Sequence, residues 1–258
     1  MNVDITTTCT LRPHIYDQSL KSVKENIIDE NKSINFRIIA NIDPIGDKTT
    51  QNTITKIIKK YHNNYIVIKP TEPNFPLAVK NVWNKCTSDY VFHIEDDILF
   101  KRKINLTKIL ELFSGNVDIV RLQGNLRKLK SKYKFKIENK GWYNIVNNNK
   151  KLYPSNLISL TPSIFRVCVI GEFLSYIRDG VSPEWTLMLK DVTGLSRDEE
   201  MLLSEYINSL GYIVLEGEYW KDIGRVWRKL NRIVKPKKIN NKMGIHKTWI
   251  KRNDSITF

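Results

Sequence analysis

Three carboxylates stand side by side at Glu95-Asp96-Asp97, directly after the apolar run Tyr90-Val-Phe-His-Ile94. A run of that length and composition reads as a buried parallel strand. Adjacent carboxylates at a strand end repel one another, and a cation relieves that cost. Hard oxygen donors suit Mg²⁺ or Mn²⁺, ions that keep several waters and bridge substrate phosphates. The plainer use of the same residues is an acidic turn that caps a following helix. Asp43 likewise follows an apolar run, at 36–42, and precedes Pro44. Asp198, Glu199 and Glu200 open a helical pattern over 196–210, where Ser196 is the N-cap, Glu199 completes a capping box and Gly211 ends the helix. Acids in a first turn also suit the positive end of the helix dipole. Arg225 and Arg228 offer forked donors that clamp phosphates, or ordinary surface basicity.

The elements that must position these groups alternate in the first half of the chain. Strands are predicted at 3–8, 36–42, 65–68 and 90–94, with helices at 14–28, 49–61 and 76–86. This βαβαβαβ order implies a parallel, Rossmann-like sheet covered by helices on both faces. In open α/β sheets ligands bind outside the carboxyl ends of the strands, where the acidic triplet stands. The second half is less regular. A helix is expected at 105–113, a strand at 117–123, loops with a short antiparallel ribbon over 127–151, a strand at 157–160, a helix at 162–177 and a strand at 212–215. From 229 onward the chain is basic and reads as a tail or lid.

Composition narrows the class. The 258 residues carry 42 Lys and Arg against 27 Asp and Glu, a net charge of +15. That excess favours an anionic partner, such as nucleotide phosphates, a nucleic acid or an acidic membrane surface. A chain this rich in Lys, Asn and Ile also acquires basicity by compositional drift. Cys9, Cys86 and Cys168 make no CxxC pair, and His14, His62, His93 and His246 show no zinc spacing. No apolar run reaches the ~18 residues of a membrane span. The opening MNVDITTTC reads as a strand rather than a signal peptide, so a cytoplasmic location is expected.

In order along the chain stand a first strand Asp4-Ile-Thr-Thr-Thr-Cys-Thr-Leu-Arg-Pro13 and a second strand ending in an acid, Ile38-Ile-Ala-Asn-Ile-Asp43. A helix and a strand then lead to the triplet of the DxD type, His93-Ile-Glu-Asp-Asp97. Paired acids precede a Gly-aromatic step in Glu199-Glu-Met-Leu-Leu-Ser-Glu-Tyr-Ile-Asn-Ser-Leu-Gly-Tyr212. In this combination the chain resembles the GT-A glycosyltransferases, close to the family 2 inverting enzymes. The resemblance covers about 3–228. It implies a GT-A domain over 1–228, with a nucleotide-binding half at 1–100, an acceptor half at 101–228 and the basic segment 229–258 beyond.

The resemblance also implies roles. Thr7, Thr8 and Asp43 hold the donor's base and ribose, Asp97 the metal, and Glu95 the ribose or a metal-bound water, with Asp96 a secondary candidate. Counting back from Gly211 puts the catalytic base at Glu200, with Glu199 beside it. That carboxylate takes the acceptor hydroxyl's proton on the face opposite the leaving diphosphate, so the sugar inverts. Many members complete the metal site with a histidine after this helix. Here the stretch is Glu218-Tyr-Trp-Lys-Asp-Ile-Gly-Arg225, and Asp222 or the more distant His246 takes that place. Trp185 is the preferred aromatic on the acceptor side. The implied partners are a nucleotide-diphosphate sugar and a glycan, lipid-linked or protein acceptor, with peripheral membrane contact through the tail. A sugar nucleotidyltransferase shares the general fold but uses a Gly-rich loop after its first strand, and Cys9-Thr-Leu-Arg-Pro13 has no glycine. A nucleic-acid-binding protein or metal nuclease is the other alternative, on the charge and the aromatics among lysines at 128–140. No known reader module is present there, so no specific nucleic acid is expected.

Overall fold

The computed structural model describes residues 1–124, 136–138, 142–144, 158–189, 193–215, 217–230, 233–234 and 250–251. The first four strands form where the apolar runs predict them: β1 (Asn2–Leu11), β2 (Asn35–Gly46), β3 (Tyr65–Ile68) and β4 (Tyr90–Glu95). They lie parallel in the order β3-β2-β1-β4. Parallel neighbours need crossovers, supplied by α1 (Pro13–Val23), α2 (Gln51–Tyr61) and α3 (Phe75–Trp83). Proline opens α1 and stands in the first turn of α3, where its missing N–H costs nothing. Side chains of Thr50 and Asn74 cap α2 and α3 by accepting from Thr53 N and Leu77 N. The helix expected over 14–28 continues past α1 as a π-helical turn at Lys24–Ile28.

The second half adds β5 (Ile98–Phe100), α4 (Leu106–Leu110), β6 (Ile119–Leu122), β7 (Lys136–Glu138), β8 (Trp142–Asn144), β9 (Ser163–Arg166) and α5 (Val167–Tyr176). Then come α6 (Pro183–Leu187), α7 (Arg197–Ser209), β10 (Tyr212–Leu215), β11 (Trp220–Asp222) and α8 (Gly224–Leu230). The main sheet runs β3-β2-β1-β4-β9-β6-β10-β8-β7. It is mostly parallel: β9 runs against both β4 and β6, and β8 against both β10 and β7. Neighbouring residues divide between two cores. Ile38, Phe92, Val120 and Ile164 pack on one face, and Ile39, Val91, Ile119 and Phe165 on the other. Both faces are therefore buried, as the near-continuous apolar runs require.

The structure corrects one stretch. No strand forms at 158–160, and the helix expected over 162–177 begins only at Val167, because Ser163–Arg166 is strand β9. Ile164 and Phe165 are buried on opposite faces between β4 and β6, and only Arg166 separates them from the apolar start of α5, with no Gly, Pro or Asn to mark a turn. The expected ribbon over 127–151 is present as the antiparallel pair β7–β8, and the rest of that stretch lies outside the described residues. So does most of 229–258. Among the described residues no helix is long and apolar enough to cross a membrane.

Candidate active site

Three parallel strands approach their carboxyl ends side by side. The parallel register sets Thr8 of β1 opposite Asn41 of β2 and Glu95 of β4. Beyond this row an open cleft of about 380 Å³ is lined by Thr8, Cys9, Thr10, Arg12, Asp43, Phe75, Glu95, Asp96, Asp97 and Arg228. The cleft lies at the carboxyl ends of β1, β2 and β4, the end of the sheet where the acidic triplet stands. The triplet does not cap a helix. Glu95 closes β4, Asp96 and Asp97 make the turn, and β5 follows.

The two aspartates have different surroundings. Both Asp96 oxygens are engaged: Oδ2 accepts from Thr10 N at 2.9 Å and Thr10 Oγ1 at 3.2 Å, and Oδ1 accepts from Arg12 Nη2. Asp97 Oδ2 accepts from Arg12 Nη1 at 3.2 Å and from Arg228 Nη1 at 2.7 Å. Burial, then the neighbouring Asp96 charge, push the Asp97 carboxyl above the usual range, against the pull of Arg12 and Arg228. Burial alone would lower the Arg12 pKa, but Asp96 and Asp97 outweigh it and raise it. The Arg12 guanidinium also lies 5.1 Å from the centre of the Trp227 ring.

A second element completes this cluster from far along the chain. β11 pairs antiparallel with β5, placing Asp222 opposite Ile98, next to the triplet. Ile223 N donates to the Asp97 carbonyl at 2.9 Å, and Asp222 Oδ1 accepts from Arg225 N at 2.9 Å. Arg228 then bridges two carboxylates, with Nη1 on Asp97 and Nη2 on Asp222 Oδ2 at 2.7 Å. Gly224 is required at the point of contact, since a Cβ there would stand 2.0 Å from Asp97 Oδ2.

Asp43 forms the other wall. Its Oδ1 accepts from Asn41 Nδ2 at 2.8 Å and its Oδ2 from Asn74 N at 3.2 Å, while Asn81 Nδ2 donates to Asn41 Oδ1 at 3.0 Å. This amide chain fixes the carboxyl at the mouth of the cleft. Burial is the larger influence and pushes its pKa up to about 7.

The remaining sequence-derived candidates are dispersed. Thr7 is buried beneath the site, its Oγ1 3.7 Å from Cys9 Sγ, and does not line the cleft. Glu199 caps α7: its Oε2 accepts from Ser196 N at 2.8 Å, and its Oε1 accepts from Arg178. The Ser196 amide is the first cause holding the Glu199 carboxyl below its usual range. Glu200 accepts from Thr193 Oγ1, and neither glutamate lines the cleft. The Arg225 side chain is 77% exposed and its Nε lies 3.7 Å from Asp222. His246 lies outside the described residues. Arg12 is a cleft-lining residue that the sequence reading did not single out. Its signal was a basic residue at the end of the first strand, immediately before Pro13.

No protein-family model matches the sequence, and no curated protein matches it. Solved structures do. TarS residues 1–349 from S. aureus superposes with a TM-score of 0.56 at 11% identity, covering 90% of this chain and 64% of that one. The fold is GT-A. TarS 1–349 in complex with UDP-GlcNAc superposes with a TM-score of 0.55 at 12% identity, covering 85% of this chain and 58% of TarS. The mannosyltransferase PcManGT from Pyrobaculum calidifontis, in complex with GDP-Man and Mn²⁺, gives 0.53 at 12% identity and covers 88% and 59%. This GT-A chain spans less than two thirds of the length of these relatives.

Proposed function

We propose that the protein is a glycosyltransferase that moves a sugar from a nucleotide-diphosphate donor to an acceptor hydroxyl. The observation that carries this reading is the cleft itself. Asp43 and Thr8 stand on one side, the triplet with Arg12 and Arg228 on the other, all at the carboxyl ends of a GT-A sheet. The neighbours that hold UDP-GlcNAc and GDP-Man support it. Asp43 suits the hydroxyl or N–H donors of ribose and base. The guanidinium of Arg228 suits a diphosphate.

The donor set also suits a divalent ion, Mn²⁺ or Mg²⁺. Among the described residues no group of three His, Cys, Asp or Glu could hold one by itself. Asp97 and Asp222, however, already converge on one guanidinium of Arg228. Two carboxylates completed by phosphate and water is a common way to hold Mg²⁺. Such an ion supplies charge neutralisation for the departing diphosphate. Asp96, with both oxygens engaged, is the positioning residue that orients Arg12 rather than a ligand.

Glu200 is the proposed general base, with inversion at the anomeric carbon. Glu199 is tied to Ser196 and Arg178 as a capping acid, Glu200 accepts from Thr193 outside the cleft lining, and the choice of Glu200 rests on its spacing from Gly211 in the family resemblance. The testing experiment is a panel of nucleotide sugars with and without Mn²⁺, scored by thermal shift and product formation. With the sugar so identified, Glu200→Gln is expected to slow transfer by about 10²–10⁴-fold with donor affinity unchanged. Glu199→Gln is expected to slow it less. Retention of configuration in the product, read by NMR, would overturn the single displacement.

A further inference from the structure

We infer that Arg228 is a resident cation of the donor site, exchanged for a divalent ion when the nucleotide diphosphate enters, so that ion and nucleotide bind cooperatively. This rests on the donor-site reading above and adds an order of events to it.

Asp96, Asp97, Asp222 and the adjoining Glu95 face three guanidiniums, those of Arg12, Arg228 and the exposed Arg225, so the cluster retains excess negative charge with every arginine in place. Arg12 and Arg228 are not equivalent. Arg12 is 2% exposed and bonded to both Asp96 and Asp97, and so belongs to the framework. Arg228 projects from the short helix α8, its side chain is 18% exposed, and it lines the cleft. Its two nitrogens lie 2.7 Å from Asp97 and 2.7 Å from Asp222, so the guanidinium stands between the carboxylates that would share an ion.

Arg228 and a divalent ion cannot both occupy that position, because Asp97 Oδ2 already accepts from Arg12 as well and the ion would be a third cation on one oxygen. An ion arriving alone must displace two charge-assisted hydrogen bonds and leave Arg228 without those partners. An ion arriving with a diphosphate faces no such penalty, since the phosphate oxygens offer the guanidinium a new bidentate partner beside the site. Each ligand therefore assists the other, and by linkage the assistance is equal in both directions.

The test is Mn²⁺ binding followed by electron paramagnetic resonance, with no sugar transfer involved. The wild-type chain is expected to bind Mn²⁺ weakly alone and at least about tenfold more tightly with UDP or GDP present. Arg228→Gln removes the resident cation, and is expected to bind Mn²⁺ alone about tenfold more tightly than wild type, because Asp97 and Asp222 are left to attract it. Its gain from added nucleotide should shrink accordingly. Arg228→Lys, which keeps the charge but lacks the two-pronged bridge, covers the case in which Arg228→Gln fails to fold. It too should bind Mn²⁺ more tightly than wild type. Equal or weaker Mn²⁺ binding by the folded variants overturns the exchange. Thermal shift with UDP- and GDP-sugars, run in parallel, separates the two ideas. Donor binding without any effect of Arg228 would sink the exchange alone. An Arg228 effect on Mn²⁺ with no donor binding would sink the donor reading alone.

Discussion

Strand β1 carries a buried acid–arginine cluster at each of its ends, and the two are built differently. At the amino end Asp4 is fully buried and meets one guanidinium in a paired arrangement, Arg37 Nε and Nη2 each donating at 2.9 Å. Backbone N–H groups of Thr87 and Ser88 add bonds of 2.8 and 3.0 Å. Burial alone would raise the Asp4 pKa, but Arg37 and these amides outweigh it and hold the carboxyl below its usual range. At the carboxyl end three aspartates and the adjoining Glu95 face the guanidiniums of Arg12 and Arg228, with the exposed Arg225 3.7 Å from Asp222, and burial with like charge raises Asp97 instead. The first cluster is matched one to one and fastens β1 to β2 and to the turn before β4. The second has excess negative charge and opens on a cleft. A matched ion pair reads as structure, and an unmatched one at the ligand end of the sheet reads as a site that another charged group completes.

The contrast is broken most directly by removing Asp4. Asp4→Asn leaves Arg37 facing a neutral amide, and breaking a buried pair of this kind costs about 3 kcal/mol. Urea unfolding should show that loss, while nucleotide affinity of the folded variant stays at the wild-type value. Lost affinity with stability intact would reverse the assignment of the two ends.

A smaller effect sharpens the cleft side. Asp43 keeps its proton to about pH 7 in the fold and to the ordinary carboxyl range near 3.8 when unfolded. The native state then binds more protons between those values, so this group makes stability fall as pH rises through them and level off above about 7. Buried His93, pushed down to about 3 by burial, slopes the opposite way, since the unfolded chain takes up its proton first as pH falls below 6.5. The difference between wild type and Asp43→Asn therefore isolates Asp43, and the variant should be relatively more stable at pH 8 than at pH 4. If the ionised carboxyl accepts from the nucleotide, wild-type affinity should climb from pH 6 to 8, by about 1 kcal/mol at most. The variant should show no such climb. Parallel pH profiles for binding would remove Asp43 from the nucleotide pocket.

These clusters also show what a sequence conveys. β2 and β4 were legible because each is an apolar run between helical patterns, and the Thr-rich β1 and half-buried β3 followed from their places in the alternation. The triplet was legible because carboxylates rarely stand three together at the end of such a run. β9 was hidden, since Ser163–Arg166 joins the apolar helix Val167–Tyr176 with no turn residue between them. Arg12 was hidden for a different reason. Its partners Asp96 and Asp97 lie in the turn after β4, and no local pattern encodes a pairing between the ends of β1 and β4. Asp222 and Arg228 were visible as residue types, but their meeting at Asp97 depends on the pairing of β11 with β5.

The central claim is that the unmatched cluster receives a metal-bound nucleoside diphosphate, and Asp97→Asn tests it. The asparagine keeps an oxygen acceptor and Arg12 keeps Asp96, so the variant should stay folded, which its thermal midpoint checks. Calorimetric titration of UDP and GDP in the presence of Mn²⁺ should then show affinity falling by at least about a hundredfold, the loss expected when a principal ligand is removed. Wild-type-like, Mn²⁺-dependent binding by a folded Asp97→Asn chain would contradict the account and place the site elsewhere.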